Sequence, residues 1–275
     1  MFSHRVFSHL ITTLCIVLLT ISPVFADSIN TINFYNPETN ISSFTSLKRS
    51  YDNYLSKLSP YRLQPFKNPK TFISINTDNK RPILLTSSWF FQQLNGHFKK
   101  RLKISLVATK NGKSTARKVL VTKKSLISPA DLKQGVIASS ANISYAKEVL
   151  TKLLVKQPDD LIKSIQFLNV PKDIDALMSV AFGVADAAIT LESTMEKLAQ
   201  FNPGQYKTLS ILLRTDEILL PVLSFPQKTS AEEQSLIRIF QEMKTSRSGR
   251  RQLKMIGIDG WKTIDSVELR KAGIN

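Results

Sequence analysis

Four short stretches carry the side chains best suited to recognising a small ligand: Tyr35-Asn36, Thr86-Ser87-Ser88-Trp89, Ser139 to Ser144, and Thr190-Leu191-Glu192. All but the first are rich in hydroxyls, and three run straight into segments of helical spacing. A helix start leaves backbone N–H groups unpaired and carries the positive end of the helix dipole. Ser, Thr and Asn donors beside it complete an uncharged cradle for an oxyanion. The same residues are also ordinary helix caps, so only convergence of the loops would make them a site. The candidate ligand contacts are Tyr35, Asn36, Ser87, Ser88, Trp89, Ser140, Asn142, Ser144, Tyr145 and Thr190.

Catalysis and metal binding find little to work with. The chain has three histidines and one cysteine, Cys15. His4 and His9 lie at the extreme N-terminus, and His97 sits beside the cluster Lys99-Lys100-Arg101 with no evident nucleophile. A Cys-rich zinc site and a disulfide framework are excluded, and no Gly-x-Ser-x-Gly, phosphate-loop or zinc signature is present. Asp173 and Asp175 read as first-turn acids, and Asp186 as either a buried hydrogen-bond hub or a surface turn acid. Glu192 is the acid expected nearest a cleft. These features predict no enzyme, no metal and no cofactor.

The elements that must position those loops follow from the hydrophobic spacing. Strands are expected at Thr31–Tyr35, Tyr61–Phe66, Ile83–Leu85, Leu102–Ala108 and Lys118–Thr122, the last two read as running across a turn at Asn111-Gly112. A helix carrying Leu47, Tyr51 and Leu55 follows the first strand, while residues 68–80 look polar and irregular. A second βαβα unit begins at Gly135–Ala138. It continues with a helix carrying Tyr145, Val149 and Leu153, and a strand over Ile165–Val170. A helix opened by Pro171 and ended by Gly183 then leads to a buried strand at Asp186–Thr190. Strands return near Leu209–Leu213 and Ile218–Leu223. Ser230 and Glu233 form a capping-box pair, and a last helix runs over 250–256. In such open α/β sheets ligands bind at the carboxyl ends of the strands, which is where the four loops lie.

At 275 residues the chain has 38 basic and 21 acidic residues and a formal charge of +17. The excess is concentrated in residues 27–113, with 14 basic and 4 acidic side chains. Such a field attracts small anions or anionic lipid, or is a solvated surface. No aromatic-interleaved basic motif argues for nucleic acid. The first 26 residues have Arg5 as their one charge, an apolar run over Leu10–Ile21 and small residues in Val24-Phe25-Ala26. That is the order of a secretory signal peptide cleaved after Ala26, giving an exported protein that begins at Asp27.

Taken together, Ile127-Ser128-Pro129-Ala130-Asp131-Leu132-Lys133-Gln134-Gly135-Val136-Ile137-Ala138, the Ser-rich loop entering a helix, and Ala181-Phe182-Gly183-Val184-Ala185-Asp186-Ala187-Ala188 are similar to a known family. So are Thr245 to Arg250 and Ile256 to Trp261. Their order resembles the phosphate/phosphonate-type periplasmic substrate-binding proteins of ABC transporters, over roughly residues 30–265. One departure is that Ser140-Ala141-Asn142-Ile143-Ser144-Tyr145 lacks the family's Gly. The resemblance implies an α/β, two-lobed type 2 periplasmic binding protein fold, with mixed, mostly parallel sheets, covering helices and a two-segment hinge. Residues 27–115 and 210–275 would form lobe 1 and residues 116–209 lobe 2. It further implies a monomer in the periplasm that captures a small anionic solute of the phosphate, phosphite or phosphonate class. The partner would be an ABC transporter permease or, alternatively, a membrane sensor.

Overall fold

The chain alternates strand and helix because apolar residues alternate over four to eight positions and then recur at helical spacing. In the computed structural model, residues 30–126, 128–155 and 157–274 are described. The expected signal segment, its cleavage after Ala26, and Ile127 of the quoted motif lie outside them. Residues from Thr31 onward form one compact unit.

The first half contains β1 (Thr31–Tyr35), α1 (Phe44–Leu55), β2 (Arg62–Pro65), α2 (Pro69–Asp78), β3 (Ile83–Thr86), α3 (Ser88–Gln93), α4 (Gly96–Lys99) and β4 (Leu102–Thr109). The chain then crosses through β5 (Thr115–Ala116) into β6 (Lys118–Lys123), β7 (Val136–Ser139), α5 (Ile143–Leu153), α6 (Asp159–Ser164), β8 (Gln166–Asn169), α7 (Asp173–Ala181), β9 (Ala187–Leu191), α8 (Glu192–Phe201), α9 (Pro203–Tyr206) and β10 (Leu209–Arg214). It returns through β11 (Ile218–Leu219) to β12 (Val222–Pro226), α10 (Ala231–Glu242), α11 (Arg247–Met255), β13 (Gly260–Thr263) and α12 (Ser266–Lys271).

Two large sheets result, ordered β13-β4-β12-β3-β1-β2 and β10-β6-β9-β7-β8, with β11-β5 as a small two-stranded third. Parallel pairing is confined to the βα units, β2-β1-β3 and β8-β7-β9. The strands that leave or enter each lobe pair antiparallel, so the sheets are mixed. Both faces of each sheet are covered. Ile83 and Leu85 of β3 fill one core with Tyr51 and Phe240, while Leu84 between them faces a second core with Phe72 and Phe90. In the second sheet Leu120 faces one core and Val119 and Val121 the other. This is the period-two alternation of a sheet buried on both sides.

The two crossings pair with each other, β5 antiparallel to β11, with Thr115 opposite Leu219. Leu220 N donates to Ser114 O at 2.9 Å, and Ser88 Oγ donates to Leu219 O at 2.6 Å. The first two join the crossings to each other, and the Ser88 bond ties them to the first lobe.

Several expectations are corrected. β10, assigned from sequence to lobe 1 from residue 210 onward, pairs with β6. Its Leu209 and Ile211 fill one core of lobe 2, and its Leu212 and Leu213 the other. The return crossing therefore falls after Arg214. β4 and β6 do not flank a common hairpin. The Asn111-Gly112 turn closes only the Lys110–Lys113 bridge, with both central residues at positive φ, and the strands on either side join different sheets. Residues 69–78 form a regular helix, capped by Asn68 Oδ1, which accepts from Lys70 N and Thr71 N.

Candidate ligand-binding site

The strands β1 and β3 of the first sheet and β7 and β9 of the second direct their carboxyl ends at one another. Asn142 N donates to Pro37 O at 2.8 Å across the gap. Trp89 stands edge-on to Tyr145, with centroids 5.0 Å apart, and packs against a core of each lobe. Tyr35, Asn36, Ser140 and Asn142 line one cavity of about 380 Å³ between the lobes, together with Lys67 and Asn169.

Deeper in the cleft the arrangement is charged. Asn36 Oδ1 accepts from Glu38 N at 2.9 Å, a tight turn that aims Glu38 inward. The Glu38 side chain is buried, and the Tyr145 and Ser87 hydroxyls and the Lys118 ammonium face its carboxylate. Its Oε1 has no hydrogen-bond partner. Burial raises the Glu38 carboxyl above the usual range, while Lys118 and the two hydroxyls pull against that rise. The Tyr145 phenol is pushed well above its ordinary value, first by burial and then by the Glu38 charge. Lys118 is itself buried, its Nζ 5.6 Å from the Tyr145 ring centroid, a cation–π arrangement.

Asp173, at the start of α7, ties two candidate loops together. Its Oδ1 accepts from Ser140 Oγ at 2.5 Å and its Oδ2 from Leu191 N at 3.2 Å. Among the described residues three hydroxyls remain free: Thr39 Oγ1 in the turn after β1, Thr86 Oγ1 at the end of β3 and Thr190 Oγ1 near the end of β9 are all buried without a partner. A buried hydroxyl in that state costs about 1–3 kcal/mol unless a ligand or water meets it.

The candidate residues therefore divide. Tyr35, Asn36, Ser140 and Asn142 share one cavity, Ser87, Trp89 and Tyr145 gather around Glu38, and Thr190 presents its free hydroxyl in the second lobe. Ser88 is turned to the hinge by its bond to Leu219 O. Ser144 is exposed, and its N–H is taken by Asn142 Oδ1 at 2.8 Å. Glu192 pairs with Arg214 at 2.8 Å, and Asp186 is an exposed acid that accepts from Val136 N. Sequence reasoning missed Glu38, Lys118, Lys67 and Glu148. The one available signal was the Asn-Pro-Glu turn directly after a buried strand that ends at the cleft. Among the described residues no group of three or more His, Cys, Asp or Glu could hold a metal ion, and no helix is long and apolar enough to cross a membrane.

A hinge of two paired crossings and polar loops facing each other between two sheets define a two-lobed substrate-binding protein. Residues 61–269 match the family described as "ABC transporter, phosphonate, periplasmic substrate-binding protein", and the chain belongs to that family. It is a family of transport components, not enzymes. The fold is similar to that of a binding protein component of an ABC phosphonate transporter from Pseudomonas aeruginosa, at TM-score 0.58 and 17% identity, covering 87% of this chain and 83% of that one. It is also similar to PhnD1 from Prochlorococcus marinus in complex with methylphosphonate, at TM-score 0.59 and 14% identity, covering 89% and 96%. A Xanthomonas citri protein bound to ATP matches at TM-score 0.62 and 12% identity, covering 89% and 94%. No curated protein matches the sequence.

Proposed function

We propose that the protein captures a small oxyanion of the phosphonate, phosphate or phosphite class between its lobes and delivers it to an ABC permease. The observation that carries this reading is the pair Thr86 and Thr190. Each sits near the carboxyl end of a strand, in opposite sheets, and each buries a hydroxyl with no partner. A ligand held by both joins the lobes, so contacts made only when they close would shift the population toward the closed form. The α5 start and the buried Lys118 supply positive potential to the same space. Family membership supports the ligand class. On the same reading, residues 1–26 direct export and are removed after Ala26, and the product acts as a monomer.

Calorimetric titration of the exported protein with methylphosphonate, phosphite and phosphate tests the proposal. At least one should bind with a single site per chain, while neutral and cationic solutes of similar size should not. Binding confined to neutral or cationic solutes removes the oxyanion assignment.

A further inference from the structure

Among the described residues, three of the four most exposed large apolar side chains gather at one end of lobe 2: Phe201 at 82%, Phe182 at 66% and Val184 at 63% exposure. That end is the one away from the cleft. β9 runs toward the cleft from Ala187, so Phe182-Gly183-Val184 precede it at the far end. α7 and α8 start on the cleft side and pack side by side, and α9 packs against both. Phe182 follows the last turn of α7, Phe201 closes α8, and the exposed Tyr206 closes α9. The inner faces of α7 and α8 are filled by Leu177, Val180, Met195 and Leu198, so the two Phe rings are surplus to the core. Apolar side chains scattered singly over a surface need no explanation, but a contiguous patch marks an interaction site.

Lysines rim this patch. β6 is antiparallel to β9 with Thr122 opposite Ala187, which brings Lys123 and Lys124 to the same end. Lys123 Nζ lies 3.2 Å from where a Cβ on Gly183 would stand, beside Phe182 and Val184. Lys124 N donates to Thr208 O at 3.0 Å, which brings Lys124 alongside the turn of Tyr206 and Lys207. Among the described residues none of these three ammonium groups pairs with a carboxylate. Asp186, the acid before β9, is turned to β7 on the opposite side of β9 from β6, where it accepts from Val136 N.

The chemistry of the patch selects its occupant. In a two-fold contact between copies the patch would meet itself, setting Lys123, Lys124 and Lys207 against their own equivalents. Aromatic rings beside unpaired lysines match instead the boundary of an anionic bilayer, where the rings enter among the acyl chains and the ammonium groups stay with the phosphates. We propose that this end of lobe 2 docks on an anionic lipid surface, with Phe182, Val184 and Phe201 inserted and the three lysines on lipid phosphates. The cleft lies at the other end of lobe 2, so docking concentrates the protein at the membrane without occupying the ligand site. The proposal is independent of which ligand the cleft takes.

Sedimentation with vesicles tests it. The exported protein should partition onto mixed phosphatidylglycerol and phosphatidylcholine vesicles at least about tenfold more strongly than onto phosphatidylcholine alone, and less so at high salt. Net charge alone also draws a chain of +17 to anionic lipid, so a variant that keeps the charge decides. Phe182→Ser with Phe201→Ser should weaken partitioning at least about tenfold, with the melting temperature unchanged. Lys123→Gln, Lys124→Gln and Lys207→Gln together should weaken it about a hundredfold. Removing three charges from lobe 1 instead, in Arg247→Gln, Arg250→Gln and Arg251→Gln, should cost far less. Partitioning unchanged in the Phe variant, or an equal loss in the two charge variants, overturns docking at this end. A dimer that the Phe variant dissociates, with no binding to vesicles, overturns it too and assigns the patch to a second copy. Phe201→Trp gives a reading that requires no loss of binding: anionic vesicles should shift its emission to shorter wavelength beyond any shift of the unaltered protein, and an emission that vesicles leave unmoved overturns the proposal.

Discussion

Trp89 of the first lobe donates its indole N–H to Glu148 of the second, Nε1 to Oε1 at 2.5 Å. The same ring leans on Tyr145, so one side chain holds both an apolar and a polar contact across the cleft. Glu148 also pairs with Lys152 at 3.4 Å through the same Oε1. This contact favours closure.

Trp89→Phe keeps an aromatic ring and removes the N–H. A hydrogen bond to a charged group is worth about 1.5–3 kcal/mol, and partial exposure of Glu148 places this one near the lower end. Apparent ligand affinity should fall about tenfold. Small-angle scattering without ligand should show a larger radius of gyration, while the melting temperature changes little. An unchanged radius and unchanged affinity would show that Trp89 does not latch the lobes.

Gly249 offers a sharper stability test. It lies inside α11, where a Cβ would meet Met243 O at 2.1 Å, and Ser246 Oγ already accepts from its N–H at 2.9 Å. Backbone cannot yield as a flexible side chain can. Gly249→Ala should destabilise the protein by about 1–3 kcal/mol through overpacking, although Ala is the better helix former. Chemical denaturation monitored by circular dichroism reads the loss, and a stabilised variant would refute the packing assignment.

Buried phenols set the alkaline limit. Tyr61 is pushed up to about 12, first by burial and then by the Glu233 and Glu232 carboxylates, and Tyr51 and Tyr145 are raised in the same direction. A phenol whose folded value lies above its unfolded value holds its proton more tightly when folded. Its contribution is complete below about pH 10, the unfolded value, and is lost as pH rises through the folded one. Urea unfolding should therefore give a stability that declines between about pH 10 and 12. Tyr61→Phe should flatten part of that decline, and an unaltered slope would assign the loss elsewhere.

Legibility in the sequence follows how local each cause is. The capping box of Ser230 and Glu233 is present on both arms, and Gly183 does end α7 at positive φ, because those signals act within four residues. The α2 helix escaped notice because its inward positions are Phe72 and the polar Asn76. Asn76 is buried by a 2.6 Å bond from Asn33 Nδ2 in β1, a tertiary partner that no local pattern reveals. For β10, alternation announces a strand but not which sheet receives it. Glu38 is the extreme case. In sequence it belongs to a polar turn, and only Tyr145 and Lys118, from the other lobe, make it a buried acid.

The Ser140–Ser144 loop separates two hydroxyls that look equivalent in sequence. Ser140 is buried, and its Oγ donates to Asp173, which also receives Leu191 N. Ser140→Ala removes the donor from one carboxylate oxygen and frees the join between the α5 and α7 starts. The loss of such a charge-assisted bond costs about 1.5–3 kcal/mol of stability, and because it releases the loop that would hold an oxyanion, affinity should fall as well. Ser144 is exposed, and the cap at that position is made by Asn142 Oδ1 rather than by its own hydroxyl. Ser144→Ala should therefore leave affinity unchanged within about twofold and stability within about 0.5 kcal/mol, as for an isolated surface change. Calorimetric affinity and melting temperature on the two variants read this contrast directly. The reverse pattern, affinity lost in Ser144→Ala and kept in Ser140→Ala, would place the ligand on the outer side of the loop and take Asp173 out of the site.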